Sequence, residues 1–179
     1  MSEPTPEPSE KAPRWRRWLL EGLIFCAAFI AFQLWQTRGA AQGPAPAFAG
    51  TLVSGQSFDL NAWRAAHPGQ PALIYFWAEW CGICRTTAGN VAAIGQDWPV
   101  ITIAAESGDA AAVAKTMAER DYRWPTLPDP QGSILRQYGL RGVPAFIVID
   151  PDGNIRATQL GYTSELGLRL RLWWAARNT

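Results

Sequence analysis

The sequence predicts an α/β fold, a central mixed β-sheet flanked by helices, preceded by one N-terminal transmembrane helix. Three observations predict it. A continuous apolar run of strand length, residues 71–77, and a second buried-strand pattern, residues 100–104, are each followed by a stretch of helical length, the alternation that builds parallel strands. Nearer the C-terminus, residues 145–150 and 155–160 read as two strands joined by the turn-forming Pro151-Asp152-Gly153-Asn154, an antiparallel hairpin. Finally, an apolar stretch from Trp18 to Trp35 follows a cluster of Lys11, Arg14, Arg16 and Arg17.

In chain order, residues 1–13 are rich in Pro, Glu and Ser without a hydrophobic period, and are expected to form a disordered cytoplasmic tail. Residues 14–37 are expected to be the anchor. Its basic flank stays in the cytoplasm, which sends the rest of the chain to the periplasmic side of a bacterial inner membrane as a single-pass protein. Glu21 and Gln33 confine the uninterrupted apolar run to residues 22–32, a length that also suits a signal peptide, with Gly39-Ala40-Ala41 as a cleavage site. Trp15, Trp18 and Trp35 bracket the run like interfacial residues, and Arg38 separates it from that site, which favours an uncleaved anchor. Glu21, near the cytoplasmic end, reaches headgroup water. Cys26 reads as a small membrane-facing residue.

Residues 38–47 are Ala, Gly and Pro without periodicity, a linker, and residues 48–179 form the folded domain. After the first buried strand comes a helix from Cys81 to about Gly95, which Gly89 weakens by about 1 kcal/mol relative to Ala. The second strand is followed by a helix over residues 110–120, with Ser107 and Asp109 as cap candidates. A last helix, from about Ser164 to Ala176, is expected to pack Leu166, Leu168, Leu170, Leu172, Trp173 and Trp174 on the sheet. The 179 residues allow one such domain plus a short appendage. From Ala40 onward eleven basic residues balance eleven acidic ones, so no basic field exists for nucleic acid.

The chemistry is carried by Cys81-Gly82-Ile83-Cys84 at the start of a helix. Two cysteines at that spacing lie one turn apart on one face and can close a disulfide. Cys81, at the helix N-terminus, faces free backbone N–H groups and the positive end of the dipole, which favour thiolate over thiol. Cys84, one turn in, fits the resolving role. A structural staple is the first competing reading, but so short a loop constrains the unfolded chain very little. Zinc needs further soft ligands, and only His67 and Cys26 remain. Haem attachment needs His after the second Cys, where Arg85 stands. A redox pair needing no cofactor and no metal is the expectation.

Phe76-Trp77-Ala78-Glu79-Trp80-Cys81-Gly82-Ile83-Cys84-Arg85 resembles the active-site signature of the thioredoxin superfamily, and Gly142-Val143-Pro144-Ala145 resembles its cis-proline loop. Within that superfamily, residues 48–60, the insert through Trp124-Pro125-Thr126-Leu127-Pro128-Asp129, and Val148-Ile149-Asp150-Pro151-Asp152-Gly153 are similar to the membrane-anchored TlpA and cytochrome-biogenesis branch, with ScsD-type suppressor-of-copper-sensitivity proteins the nearest. The resemblance implies a thioredoxin-like fold and a protein disulfide oxidoreductase, mainly a reductase. In it Cys81 exchanges with the client and Cys84 resolves. Pro144 follows a cis peptide, Val143 offers its backbone to an extended substrate, and Trp80 shields the disulfide above Gly82 and Ile83. It implies a DsbD-type membrane reductase as electron donor, and as client an ScsC-like disulfide isomerase or apocytochrome c. A DsbA-type oxidase, resembled by Arg141-Gly142-Val143-Pro144, and a Cu(I)-binding copper-tolerance protein using both thiolates are the alternatives.

Two positions depart from the family pattern. The buried carboxylate that precedes the first cysteine by six positions in thioredoxins is Tyr75 here, and the Glu that often follows the second cysteine by three is Thr87. Glu79 and Glu106 are substitutes by proximity in sequence only, and Cys84 has no obvious base.

Overall fold

The computed structural model describes residues 14–36 and 38–177 and divides the chain into two compact units, Met1–Gln36 and Thr37–Thr179. The expected tail, residues 1–13, lies outside the described residues. In the first unit the stretch expected to be the anchor forms a helix, α1 (Arg14–Gln36), which opens on Arg14, Arg16 and Arg17 and carries Glu21 one turn on. Among the described residues no helix is long and apolar enough to cross a membrane, so the structure supports the helix and not its transmembrane character.

The second unit holds β1 (Gly43–Pro44), β2 (Ala49–Thr51), β3 (Ser57–Asp59), α2 (Leu60–Ala65), β4 (Ala72–Trp77), α3 (Gly82–Ile94), β5 (Val100–Ala105), α4 (Ala110–Glu119), β6 (Thr126–Asp129), α5 (Ser133–Gln137), β7 (Ala145–Ile149), β8 (Asn154–Leu160) and α6 (Glu165–Ala175). Six strands form one mixed sheet in the order β1-β8-β7-β4-β5-β6, while β2 and β3 form a separate hairpin. β4, β5 and β6 run parallel, and β7 joins β4 antiparallel, as do β8 to β7 and β1 to β8. The expected mixed α/β sheet is present. Every residue of β4, β5 and β7 is buried, which is why these segments read as apolar runs, broken only by Thr102 in β5.

Side chains of β4 alternate between two cores. Leu73, Tyr75 and Trp77 join Val91 and Ile94 of α3 and Leu168 and Leu172 of α6. Ile74 and Phe76 join Phe48, Leu60, Leu127 and Tyr138 on the other side. The first of these cores lies under the cysteines.

Four sequence expectations need correction or addition. On α6 only Leu168, Leu172 and Ala175 are buried, while Leu166, Leu170, Trp173 and Trp174 are exposed; a helix turns its 3.6-residue period and not a leucine count toward the sheet. Asp109, not Ser107, caps α4 by accepting the Ala112 N–H at 2.9 Å. Thr126–Asp129, within the expected insert, is the edge strand β6. And the segment read as linker is bonded to the domain. Ala41 donates to the Tyr138 carbonyl, Gly43 and Pro44 pair with β8, Ala45 donates to the Gly153 carbonyl, and the Tyr138 hydroxyl donates to the Pro46 carbonyl. Composition hides this because a two-residue strand has no period. Both edge strands carry a proline, Pro44 in β1 and Pro128 in β6.

Candidate active site

The β4–α3 junction sets the two cysteines. β4 delivers the chain to the sheet's C-terminal edge, and Cys81 caps α3 in an extended conformation, φ −83° and ψ 105°. Its sulfur accepts the Cys84 N–H at 3.1 Å, the capping bond a Ser would otherwise make. Cys81 and Cys84 form a disulfide with Cα atoms 5.2 Å apart. Both are buried, Cys84 at 2% exposure, while Gly82 and Ile83 between them face solvent.

Beside the pair stands the loop that enters β7. The Val143–Pro144 peptide is cis, and the Val143 carbonyl oxygen lies 3.7 Å from the Cys81 sulfur, placed to accept from the thiol in the reduced form. Trp80 is 62% exposed next to Cys81. Its indole N–H donates to the Glu106 carbonyl at 3.2 Å, and Glu106 holds a left-handed backbone, φ +48°, although it is not glycine.

Beneath the pair, the two departures from the family pattern meet each other. The fully buried Tyr75 hydroxyl donates to the Cys84 carbonyl at 3.3 Å and lies 3.1 Å from the Thr87 hydroxyl, which itself reaches the Cys84 carbonyl at 3.1 Å. Burial pushes the Tyr75 phenol well above its ordinary value against the pull of the Thr87 hydrogen bond, so it stays protonated and neutral. Glu79 and Glu106 do not join this network: both are exposed, and the Glu79 carboxylate accepts from the Thr116 hydroxyl. The structure thus brings together Trp80, Cys81, Gly82, Ile83, Cys84, Val143 and Pro144. His67, set aside in the sequence, lies elsewhere, its ring nitrogen 2.7 Å from the Trp63 carbonyl.

A model of the AhpC/TSA family matches residues 41–158, from the first bonded residue of the entering segment through most of β8. The chain belongs to the AhpC/TSA family. Among its relatives, the thioredoxin-like protein of Haemophilus influenzae is 29% identical over 124 residues, covering 69% of this chain and 72% of that one. The thiol:disulfide interchange protein DsbE of Pseudomonas fluorescens biotype C is 28% identical over 163 residues, covering 84% of this chain and 89% of its own length. The structure of MTB dsbF, solved in mixed oxidised and reduced forms, matches with a TM-score of 0.61 at 26% identity, covering 72% of this chain and 94% of that one. With its Cys81–Cys84 pair, this AhpC/TSA-family chain is a thiol-disulfide oxidoreductase of the DsbE/thioredoxin type with a thioredoxin-like fold.

Sequence reasoning about this AhpC/TSA-family site missed Glu106 and Asp129 as supports. Asp129 accepts the N–H groups of Ser133, Ile134 and Leu135, the first three of α5, at 2.7, 3.0 and 3.1 Å, and the Ser133 hydroxyl at 2.8 Å. Its own carbonyl accepts the Glu106 N–H, which fixes the residue that holds Trp80. A signal existed: Asp129-Pro130-Gln131-Gly132-Ser133 has the composition of a turn feeding a helix.

Proposed function

We propose that the protein is a membrane-anchored periplasmic reductase of partner-protein disulfides, of the TlpA and cytochrome-biogenesis branch and nearest the ScsD type. One observation carries the direction of exchange. The Cys81 sulfur accepts one helix N-terminal N–H, that of Cys84, and Gly82-Ile83 places no imidazole between the cysteines. A thiolate stabilised that modestly leaves the dithiol willing to give up electrons, whereas strong oxidants hold their reduced form far more firmly. The Cys81 thiolate attacks a client disulfide, forming a Cys81–client bond and releasing one client thiolate; Cys84 then attacks Cys81, releasing the second. Two electrons pass to the client, which leaves as a dithiol, and the enzyme is left with the Cys81–Cys84 disulfide. A DsbD-type membrane reductase would return it to the dithiol, and an ScsC-like isomerase of a copper-tolerance system or apocytochrome c would be the client.

Anchoring is supported by the basic cluster at the start of α1 and the tryptophans that bracket its apolar run. Thiol trapping of the full chain in cells tests the reading. The pair is expected to be mainly reduced when the membrane reductase is present and oxidised when it is deleted. A pair mainly oxidised in both strains overturns the reductase assignment in favour of an oxidase. Substituting Cys84→Ser should trap clients on Cys81, and recovery of no mixed disulfide would sink the exchange route.

A further inference from the structure

Resolution of a mixed disulfide requires Cys84 to lose its proton while buried, and the structure narrows where that proton can go. Among the described residues, the fully buried carboxylates are Asp129 and Asp150. Asp129 is saturated by the start of α5. Asp150 is held by the Asn154 N–H and Arg156 at the β7–β8 turn, the opposite end of β7 from Pro144. What lies under Cys84 is the Tyr75–Thr87 hydroxyl pair, and its hydrogens are directed at carbonyls. Tyr75 is also locked in place, its ring stacked on Phe146 at 4.9 Å and edge-on to Trp124 at 6.2 Å. Phe146 follows Pro144 by two residues and is the register partner of Tyr75 across β4 and β7. One side chain therefore ties the turn carrying Cys84 to the strand that carries the cis-proline loop.

We propose that Tyr75 is a positioning residue for the resolving sulfur: with Thr87 it fixes the Cys84 carbonyl and keeps the space beneath the disulfide uncharged, so that the Cys84 proton leaves on the client's own departing thiolate. The step balances. Attack by the Cys81 thiolate breaks the client S–S bond and frees one client thiolate. That thiolate takes the proton of Cys84, and the resulting Cys84 thiolate displaces the second client sulfur from Cys81, which picks up a proton from water. The neutral hydroxyl pair places no negative charge beneath Cys84, so it leaves the transient thiolate unopposed. A carboxylate at the same place would oppose it by like charge. The other ionisable groups on surrounding elements are Arg85 on α3, Arg120 at the end of α4, Arg141 before the cis-proline, Glu79, Glu106 and Tyr122. The two carboxylates are exposed. The inference rests on exchange at the Cys81–Cys84 pair and is independent of anchoring and of the direction favoured in cells.

The test is single-turnover reaction of the reduced full chain with a small peptide bearing one intramolecular disulfide, which keeps both client sulfurs at the site. The fast phase reports attack by Cys81 and the second phase resolution by Cys84. Tyr75→Phe keeps the ring stack and is expected to slow the second phase about fivefold, the worth of one hydrogen bond, with the first phase unchanged. Thr87→Val should do the same and Thr87→Ser should restore the wild-type rate. With the thiolate of Cys81 fully formed, the second phase should be flat with pH. Tyr75→Asp, which puts a carboxylate under Cys84, should make it pH-dependent. Equal slowing of both phases in Tyr75→Phe and Thr87→Val, or no slowing in either, overturns the positioning role. A wild-type second phase that climbs about tenfold per pH unit overturns the assignment of the proton to the client thiolate, because it makes hydroxide the acceptor. Failure of the reductase reading in cells would leave both phases as described.

Discussion

Asp129→Ala is the substitution from which the structure predicts the largest loss at a residue outside the hydrophobic core. The carboxylate accepts three backbone N–H groups at the start of α5, and alanine leaves all three without that partner in a setting that is buried at Leu135 and part-buried at the other two. At about 1 kcal/mol for each unmet donor, the cost is about 3 kcal/mol. It is reinforced by loss of a negative charge at the helix N-terminus. For a domain of this size the melting temperature should fall by roughly 10 °C. Asp129→Asn keeps one acceptor oxygen and should lose about half as much. Thermal unfolding of the purified chain followed by circular dichroism reads both values. An alanine variant melting within about 3 °C of wild type would show that water replaces the carboxylate at no cost, and would refute the account of Asp129 as the organiser of α5.

Trp80→Ala should leave stability within about 1 kcal/mol of wild type, because the ring is exposed and makes one hydrogen bond. It should speed reduction of the disulfide by a small thiol such as dithiothreitol and slow reaction with a folded client, measured as two separate rates. For Asp150, burial pushes the carboxyl up, but the Asn154 N–H and the Arg156 guanidinium outweigh it and hold the group below its ordinary value. Because the folded value is the depressed one, the stability it contributes is complete above the ordinary carboxylate range and is lost as pH falls through the folded value. Asp150→Asn should therefore destabilise at pH 7 and narrow the gap to wild type in acid, seen in urea midpoints at both pH values. A Cβ on Gly139, already at φ +66°, would run into the Gly39 carbonyl. Gly139→Ala should release the entering segment, detected as faster proteolysis between residues 38 and 46.

What the sequence disclosed followed from how many side chains each feature uses. β4, β5 and β7 are buried on both faces, so each wrote a run of six or five residues that is apolar except for Thr102 in β5. Cys81, Cys84 and Pro144 belong to motifs with few other uses. β1 and β2 gave no warning because Gly43, Pro44, Ala49 and Gly50 have little or no side chain to alternate. Tyr75 and Thr87 were visible in the sequence as two missing carboxylates; that they bond to each other is a fact of register between β4 and α3, which spacing along the chain does not encode. Glu106 has ordinary composition and a left-handed backbone, and only the bond to Trp80 shows its use.

The prolines at the two sheet edges bear on how such an enzyme survives crowding. Under the proposed function it would meet cysteine-bearing client chains, and an extended segment of such a chain can add itself as an extra strand to any open border. β1 and β6 are two and four residues long, and each contains a residue with no N–H to offer, Pro44 and Pro128. A client is denied a foothold along the flanks of the sheet. Under the proposed function its backbone would be received instead at Val143, whose carbonyl lies 3.7 Å from the reactive sulfur, where attachment would lead to exchange and then to release.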